Sequence, residues 1–179
     1  MNTTFFIDEQ TDISDELGVR KQKNIMMDAL RNPHKLRPDG EWIGGEVVHQ
    51  WVIFYPIFKI SAYPTVRFWE RAITHSSSGC QKRFIATFDE YMESMVQEAI
   101  DRSRNHVRDI QSYIDMRRST IGAKPCFALL EMGMDMPDEV LSHPAIKVME
   151  MSSIDMICLT NVSDFCMKSN DTHKMDHRT

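Results

Sequence analysis

Two carboxylates near the start of the chain have a spacing that suits a metal ion. Asp8 and Asp12 bound the run DEQTD. On a helix, residues four positions apart share one face, so both carboxylates would point the same way. Carboxylate oxygens suit hard cations such as Mg²⁺, which uses one or two of them together with waters and substrate phosphates. The alternative interpretation of this pattern is a solvated acidic surface.

A pair of arginines offers a complementary chemistry farther along the chain. Arg117 and Arg118 come at the end of a predicted helix, shortly before Gly122. The planar guanidinium fork matches the oxygens of a phosphate group, so either arginine could bind one. Alternatively, the pair only stabilises the helix, because cations favour helix C-termini. The sequence leaves open which of the two arginines would face a ligand.

Aromatic residues are frequent in the first part of the chain. Their faces can stabilise a carbocation in an apolar pocket, although such residues more often fill a core. The residues concerned are Phe5, Phe6, Trp51, Phe54, Tyr55, Phe58, Phe68 and Trp69.

Helical patterns predict an all-α fold of six to eight helices. Residues 14–31 form an amphipathic segment that stops at Asn32-Pro33, and residues 80–117 carry one apolar stripe typical of a single long helix. Shorter helices are predicted at 65–73 and 126–133, and further helices begin at Pro137 and Pro144.

Two segments of the chain have unusual composition. Residues 144–160 are apolar around most of the helix circumference, which is typical of a buried helix, and residues 46–62 are apolar and aromatic. The last stretch, 162–179, is polar and has no helical stripe, which predicts a disordered tail.

The composition narrows the class of protein. The net charge is −5, so the chain lacks the basic field of a nucleic-acid-binding protein. The N-terminus turns acidic at once, and the apolar run 51–58 is too short to span a membrane, which predicts neither a signal peptide nor a membrane span. The four cysteines are scattered without paired spacing, as expected for reduced thiols in a cytoplasmic protein.

Taken together, the motifs resemble those of the class I terpene synthases, and within them the fungal, basidiomycete-type sesquiterpene synthases. FFIDEQTD is similar to the aspartate-rich motif of that family, RRSTIGAKP to its diphosphate-sensor segment, and SSIDMICLTN to the helix that leads to its second metal motif. The resemblance covers about residues 4 to 161. It implies a partial class I terpenoid synthase helical bundle over residues 1–161, followed by a divergent tail over 162–179.

The resemblance also implies a chemistry and a set of residues. In the family, Mg²⁺ ions hold the diphosphate of a prenyl substrate such as farnesyl diphosphate, which ionises and cyclises to a sesquiterpene. Asp8 would be the principal metal ligand of the first motif, with Glu9 and Asp12 in supporting roles. Asn161 would be a ligand from the second motif. Arg117 would contact the diphosphate.

The second metal motif departs from the family pattern, which is N-D-x-x-S-x-x-x-E. Val162 replaces its aspartate, Phe165 its serine and Ser169 its glutamate. We therefore expect a form truncated at both ends, with little or no cyclisation activity. The alternative is a non-catalytic helical fragment or pseudoenzyme that acts only by binding or not at all. Apolar faces at 46–62 and 144–160, left without neighbours, would favour self-association.

Overall fold

The computed structural model describes residues 3–45 and 68–175, and every regular element in those ranges is a helix. The all-α prediction is confirmed. The eight described helices are α1 (Thr3–Asp12), α2 (Glu16–Arg31), α3 (Phe68–His75), α4 (Ser78–Ser103), α5 (Ile110–Thr120), α6 (Ala123–Leu130), α7 (Asp138–Leu141) and α8 (Pro144–Met175). The apolar segment 46–62 lies outside the described residues.

Local sequence signals set the ends of α2. The Asp15 side chain accepts a hydrogen bond from the Gly18 amide, which satisfies one of the free N–H groups of the first turn. The helix ends at Arg31, and Asn32 and Pro33 follow, because a proline disfavours helical backbone in the residue before it. The prediction for residues 14–31 is thereby confirmed.

The prediction of one helix over residues 80–117 is wrong, because the chain breaks between α4 and α5. Asn105 adopts a positive φ of 50°, which ends the helical path after Ser103. The Asp109 side chain then accepts a hydrogen bond from the Ser112 amide and starts α5. The apolar spacing continues in phase across the loop, so periodicity alone does not reveal the break.

Helix α4 is the centre of the fold, with α2 on one side and α5 and α6 on another. The largest buried side chains include Phe84, Phe88 and Met92 of α4 and Met26 and Leu30 of α2. Burial of each such side chain contributes about 1.5–3 kcal/mol, so this interface supplies much of the stability of the described part.

An aromatic column runs through this core. Ring centroids are 4.9 Å apart for Trp69 and Phe84, 5.8 Å for Phe84 and Phe88, and 5.9 Å for Phe88 and Tyr91. The indole N–H of Trp69 donates to the Leu30 carbonyl at 2.7 Å. The column fixes the ring of Tyr91, whose hydroxyl points out of the core.

Helix α8 differs from its prediction in two respects. Among residues 144–161 of this helix, only Ile154 and Cys158 are buried, whereas Met149 and Met156 are more than 60% exposed, because the described neighbours α5, α6 and α7 contact one face. The helical backbone also continues to Met175, through most of the segment for which the sequence predicts disorder. Neither Gly nor Pro occurs after Pro144 to stop the helix.

The remaining predicted helices are present with shifted ends. Helix α3 ends at His75, two residues after the predicted end, and α6 begins directly after Gly122, which has a left-handed φ of 68°. Pro137 precedes α7 and Pro144 opens α8. Within the described residues, no helix combines the length and hydropathy needed to cross a membrane.

Candidate metal and diphosphate site

Helix α1 holds the two predicted carboxylates at its C-terminal end. Ile7 and Thr11 are buried and orient the helix, and the Thr11 hydroxyl donates to the Asp8 carbonyl at 3.0 Å and contacts the Met95 sulfur at 3.6 Å. With those residues turned inward, Asp8 is half-buried and the Asp12 side chain is 69% exposed. The helix therefore presents one carboxylate at the protein surface and one beneath it.

The environment of Asp8 combines opposing influences. Burial raises the pKa of its carboxyl group most, and the nearby charge of Asp12 raises it further. A hydrogen bond from the Tyr91 hydroxyl, with an O–O distance of 2.8 Å, and the charge of Arg117 both act to lower that pKa. Asp8 thus interacts with a second carboxylate, a fixed hydroxyl donor and an arginine.

Tyr91 is itself held as a hydrogen-bond donor. Its side chain is buried, and that burial, followed by the charge of Asp8, raises the pKa of the phenol far above its usual range. The hydroxyl therefore stays protonated at any physiological pH and donates a hydrogen bond to Asp8.

Arg102, near the end of α4, closes the C-terminus of α1. Its Nη2 donates to the Thr11 carbonyl at 2.7 Å and to the Ser14 carbonyl at 3.4 Å, and its Nη1 lies 3.7 Å from Asp12 Oδ1. It therefore satisfies backbone acceptors at a helix end and partly balances the charge of Asp12.

The two arginines of α5 have different surroundings. Arg118 donates to both carboxylate oxygens of Asp155 on α8, at 2.7 and 3.0 Å, and to Asp115 at 2.9 Å. Arg117 donates to the Thr120 hydroxyl at 3.3 Å, and its charge acts on the buried carboxyl group of Asp8. Of the two arginines, Arg117 is thus the one whose charge influences the carboxyl group of Asp8.

Glu98 is a charged residue of this site that the sequence reasoning missed. Burial raises its pKa, whereas the charge of Arg117 and a hydrogen bond with Thr120 lower it. Tyr91 and Glu98 are seven positions apart on α4, so they lie on the same face of that helix. The signals available in the sequence were a glutamate in phase with an apolar stripe and a tyrosine whose buried hydroxyl needs a partner.

Asn161 lies on α8 and is exposed. It follows Cys158 by three positions and therefore shares a flank of the helix with that residue. Because the charge of Arg117 acts on the Cys158 thiol, this flank is the one that adjoins the end of α5. The charges of Asp12 and Arg117 both act on Asp8, whereas Asn161 lies one turn along α8 from Cys158.

An open cleft of about 580 Å³ adjoins the exposed carboxylate. It lies between the ends of α1 and α4, the loop that joins α4 to α5, and α5 itself. Its walls include Asp12, Glu98, Arg102, Tyr113 and Met116. Carboxylates, an arginine and apolar surface thus border one space, which suits a ligand that carries both a metal ion and an anion.

The carboxylates fit a hard cation that receives its other ligands from a bound anion. Within residues 3–45 and 68–175, no group of three or more His, Cys, Asp or Glu side chains is arranged to hold a metal by itself. Asp8 and Asp12 nevertheless repel each other at a partly buried position, and a cation between them would relieve that repulsion. One or two carboxylates with waters and phosphate oxygens is the usual coordination of Mg²⁺.

The predicted aromatic lining is described only in part. Trp69 is fully buried and packs in the core, so it fills the interior rather than lining a pocket. The segment with Trp51, Phe54, Tyr55 and Phe58 lies outside the described residues, as do the side chains of Phe5, Phe6 and Phe68.

Comparison with known families decides the class of protein. The family model described as terpene synthase family 2, C-terminal metal binding, matches residues 1–165. The chain belongs to this family. Divalent-metal binding is thus a property of the family as a whole, and the carboxylates of α1 and the arginine of α5 lie within the matched residues.

Similar curated proteins are fungal terpene synthases. A Delta(6)-protoilludene synthase of Stereum hirsutum is 56% identical over 161 residues, covering 90% of this chain and 39% of that protein. A Delta(6)-protoilludene synthase of Armillaria ostoyae is 55% identical over 161 residues, covering 90% and 42%. Another from Hypholoma sublateritium is 39% identical over 177 residues, covering 99% and 47%. The chain therefore spans less than half the length of these relatives.

Solved structures support the fold. The crystal structure of the SVS_A2 protein, obtained by ancestral sequence reconstruction, superposes with a TM-score of 0.65 at 17% identity, covering 84% of this chain and 42% of that one. A mutant of the same protein gives a TM-score of 0.68 at 18% identity, covering 89% and 43%. These likenesses support the helical fold of the described residues.

Proposed function

We propose that this chain binds the diphosphate group of a prenyl diphosphate together with Mg²⁺. Asp8 and Asp12 are the metal ligands, Asn161 is a further ligand from α8, and Arg117 contacts the diphosphate. The observation that carries the proposal is the open cleft at the end of α1, whose walls include the carboxylate of Asp12 and the guanidinium of Arg102, with Asp8 one turn away on the same helix face. The charge of Arg117, which acts on Asp8, adds to it. An anionic ligand bridged by a cation would use both signs of charge at once.

The bound cation would neutralise charge on the diphosphate and stabilise it as a leaving group. Side chains of the chain would hold the cation and contact the diphosphate. Asp8 is held by Tyr91, and Arg117 is oriented by Thr120. In the proposed ionisation, the bond between the allylic carbon and the diphosphate oxygen breaks, the diphosphate leaves with the electron pair, and an allylic cation remains.

Farnesyl diphosphate is the proposed substrate. Support comes from the relatives, which are named as protoilludene synthases or, in Postia placenta, as a sesquiterpene synthase that is 40% identical over 157 residues. A long apolar tail would need a pocket beside the charged cleft, and the cleft wall already includes Tyr113 and Met116.

We further propose that cyclisation by this chain is weak or absent. In the second metal motif Phe165 stands at the position of a family ligand, and a phenyl ring cannot bind Mg²⁺. Fewer ligands would leave less stabilisation of the leaving group. We also propose residues 1–161 as a partial terpene synthase domain and residues 162–179 as a divergent segment.

The experiment that tests the proposal separates binding from turnover. Isothermal titration of the full chain with inorganic pyrophosphate should give heat of binding in the presence of Mg²⁺ and much less in EDTA. Incubation with farnesyl diphosphate and Mg²⁺, followed by gas chromatography with mass spectrometry, should give little cyclic product. Equal binding with and without Mg²⁺ would reject the metal-dependent site, and abundant cyclic sesquiterpene would reject the proposed loss of turnover.

A cytoplasmic location is part of the same proposal. Cys80, Cys126 and Cys158 are free thiols, as expected in a reducing compartment.

The second candidate is a non-catalytic helical protein that pairs with another copy of itself through α8. The outer face of α8 consists of Ala145, Val148, Ser152, Met156 and Leu159, and it carries no charge at these positions. The pattern is symmetric about Ser152, with apolar side chains four and seven positions away on either side. An antiparallel pair of α8 helices related by a twofold axis would bury the same residues on both copies.

A further inference from the structure

We infer that Tyr91 is a positioning residue for the metal-binding carboxylate of Asp8. This inference rests on the proposed function, and it assigns to a core residue of α4 the task of fixing how Asp8 meets the cation. Tyr91 does not itself contact the bound ion. Its hydroxyl holds one oxygen of Asp8 and leaves the other to the ligand.

The first support is the contact itself. The Tyr91 hydroxyl donates to Asp8 Oδ1 with an O–O distance of 2.8 Å, which is a normal length for a hydrogen bond from a hydroxyl group. Asp8 is only half-buried, so without this bond its carboxylate would be free to rotate towards solvent. With Oδ1 engaged, the plane of the carboxylate is set and Oδ2 is the remaining acceptor.

The second support is the rigidity of the donor. Tyr91 is 2% exposed and its ring packs against Phe88, the next member of the aromatic column. A tyrosine side chain has two rotatable bonds, and packing on the ring fixes both of them. The hydroxyl position is therefore set by the core of the protein rather than by the ligand.

The third support is the separate anchoring of the α1 backbone. The Thr11 carbonyl accepts from Arg102, and the Thr11 hydroxyl contacts the sulfur of Met95, so α4 also fixes the turn in which Asp8 lies. Tyr91, Met95 and Arg102 are placed at intervals that keep them on one face of α4. Helix α1 is thus held at Thr11 by two of them, and the carboxylate of Asp8 is held by the third.

Residues that orient a metal ligand change metal affinity by about 10–100-fold when they are removed. Tyr91→Phe deletes one oxygen and keeps the ring, so the aromatic column should remain. We expect its affinity for Mn²⁺ in the presence of pyrophosphate to fall about tenfold, as measured from the electron paramagnetic resonance signal of free Mn²⁺. The melting temperature followed by circular dichroism should stay close to that of the wild-type chain.

Ser94→Ala is the matched control. Ser94 is a buried hydroxyl on the same helix, and it donates to the carbonyl of Tyr91 rather than to Asp8. We expect this variant to bind Mn²⁺ as the wild-type chain does. An equal loss of affinity in Ser94→Ala and Tyr91→Phe would mean that any lost hydroxyl on α4 has this effect, and the inference would be wrong.

A second variant tests the position of the carboxylate without changing Tyr91. Asp8→Glu keeps the charge but adds one methylene, which moves the carboxylate away from the hydroxyl. Its affinity should fall by a similar factor, and adding Tyr91→Phe to it should have little further effect, because the two residues act through one hydrogen bond. Full affinity in Asp8→Glu, or fully additive losses in the double variant, would overturn the inference.

The measurements on the wild-type chain and on Tyr91→Phe distinguish failure of the proposed function from failure of the positioning role of Tyr91. If the wild-type chain does not bind Mn²⁺ with pyrophosphate, the proposed function fails and this inference fails with it. If the wild-type chain binds and Tyr91→Phe binds equally well, the proposed function stands and only the positioning role of Tyr91 is rejected.

Discussion

Arg118 forms a bidentate ion pair with Asp155, with nitrogen–oxygen distances of 2.7 and 3.0 Å. This pair joins α5 to α8 and engages the guanidinium of Arg118. The charge of its neighbour Arg117 acts on the carboxyl groups of Asp8 and Glu98. Arg118 thus has a structural role, whereas the proposed role of its neighbour Arg117 is to bind the ligand.

The first prediction compares the two arginines. Arg117→Gln should weaken the affinity for pyrophosphate with Mg²⁺ by about tenfold, because a charge-assisted hydrogen bond contributes roughly 1.5–3 kcal/mol. Arg118→Gln should change that affinity by less than about twofold, since Asp155 already engages its guanidinium, and should instead lower the melting temperature. Titration calorimetry and thermal unfolding of both variants provide the measurements. Reversed effects on affinity would assign the binding role to Arg118.

The second prediction concerns the coupling between the two carboxylates. The negative charge of Asp12 raises the pKa of Asp8, so Asp12→Asn should lower the pKa of Asp8. The change can be followed by NMR titration of the Asp8 carboxyl carbon. Asp12→Asn should also weaken Mn²⁺ binding, because one ligand is lost. Asp135→Asn, at an exposed position between α6 and α7, is the control and should leave the Asp8 titration unchanged. A pKa of Asp8 that stays the same in Asp12→Asn would show that the two charges are too far apart to share a cation.

Sequence reasoning predicts some parts of this site much better than others. The spacing of Asp8 and Asp12 and the position of Arg117 at a helix end follow from local patterns, and those helices are present. The partners Tyr91 and Glu98 do not follow, because their contacts with Asp8 and Thr120 depend on how α4 packs against α1 and α5. An apolar stripe shows which face of a helix is buried, but not which polar atoms meet there.

The errors in the predicted helices have the same origin. The break between α4 and α5 depends on the positive φ of Asn105 and on capping by Asp109, neither of which disturbs the apolar spacing. The extent of burial along α8 depends on which neighbours cover it, and a helix that is apolar on most sides carries no information about them. Local signals therefore give the class and most of the elements, whereas tertiary contacts decide the rest.

The third prediction follows from the buried charge of Glu98. Burial raises its folded-state pKa above the ordinary value of 4.5, so the ionised form destabilises the folded protein. This cost is absent below the ordinary pKa, grows as the pH rises from that value to the folded-state pKa, and is constant above it. Glu98→Gln should therefore melt a few degrees higher than the wild-type chain at pH 7, and the difference should shrink towards pH 4.

The matched control for Glu98 is Glu139→Gln on the exposed surface of α7. We expect it to have no such pH-dependent gain, because an exposed carboxylate loses little hydration on folding. A lower melting temperature for Glu98→Gln at neutral pH would show instead that the charges of Arg117 and Arg102 and the hydrogen bond with Thr120 stabilise ionised Glu98 by more than its burial costs.

The fourth prediction concerns acid sensitivity at the loop after α2. Hydrogen bonds from Lys35 and Arg37 lower the pKa of Asp28 to about 2. A lowered folded-state pKa gives stability that is present above the unfolded value of 3.8 and is lost as pH falls through about 2. Asp28→Asn should cost about 1 kcal/mol at pH 7, a modest value because a third of the side chain is exposed.

Urea unfolding of the wild-type chain and Asp28→Asn between neutral pH and pH 2 measures this contribution. The two stability curves should converge as the pH falls below 4, because Asp28 becomes protonated in both states of the wild-type chain. Asp39→Asn, an exposed position in the same loop, is the control. A constant difference between wild type and Asp28→Asn across this pH range would show that the ion pairs with Lys35 and Arg37 are not its cause.

The last prediction tests the second candidate function, pairing of two copies through α8. In an antiparallel pair, Ser152 lies on the twofold axis and therefore meets Ser152 of the partner subunit, while Val148 packs against Met156 of the partner subunit. Ser152→Lys places two like charges at the axis without changing the core, because Ser152 is exposed. The wild-type chain should sediment as a concentration-dependent dimer in analytical ultracentrifugation, and Ser152→Lys should sediment as a monomer.

Ser142→Lys, at an exposed serine at the end of α7, adds the same charge elsewhere and should leave the dimer intact. Because Val148 and Met156 are both more than 60% exposed in one copy, a wild-type chain that stays monomeric at high concentration would show that this apolar surface does not mediate self-pairing.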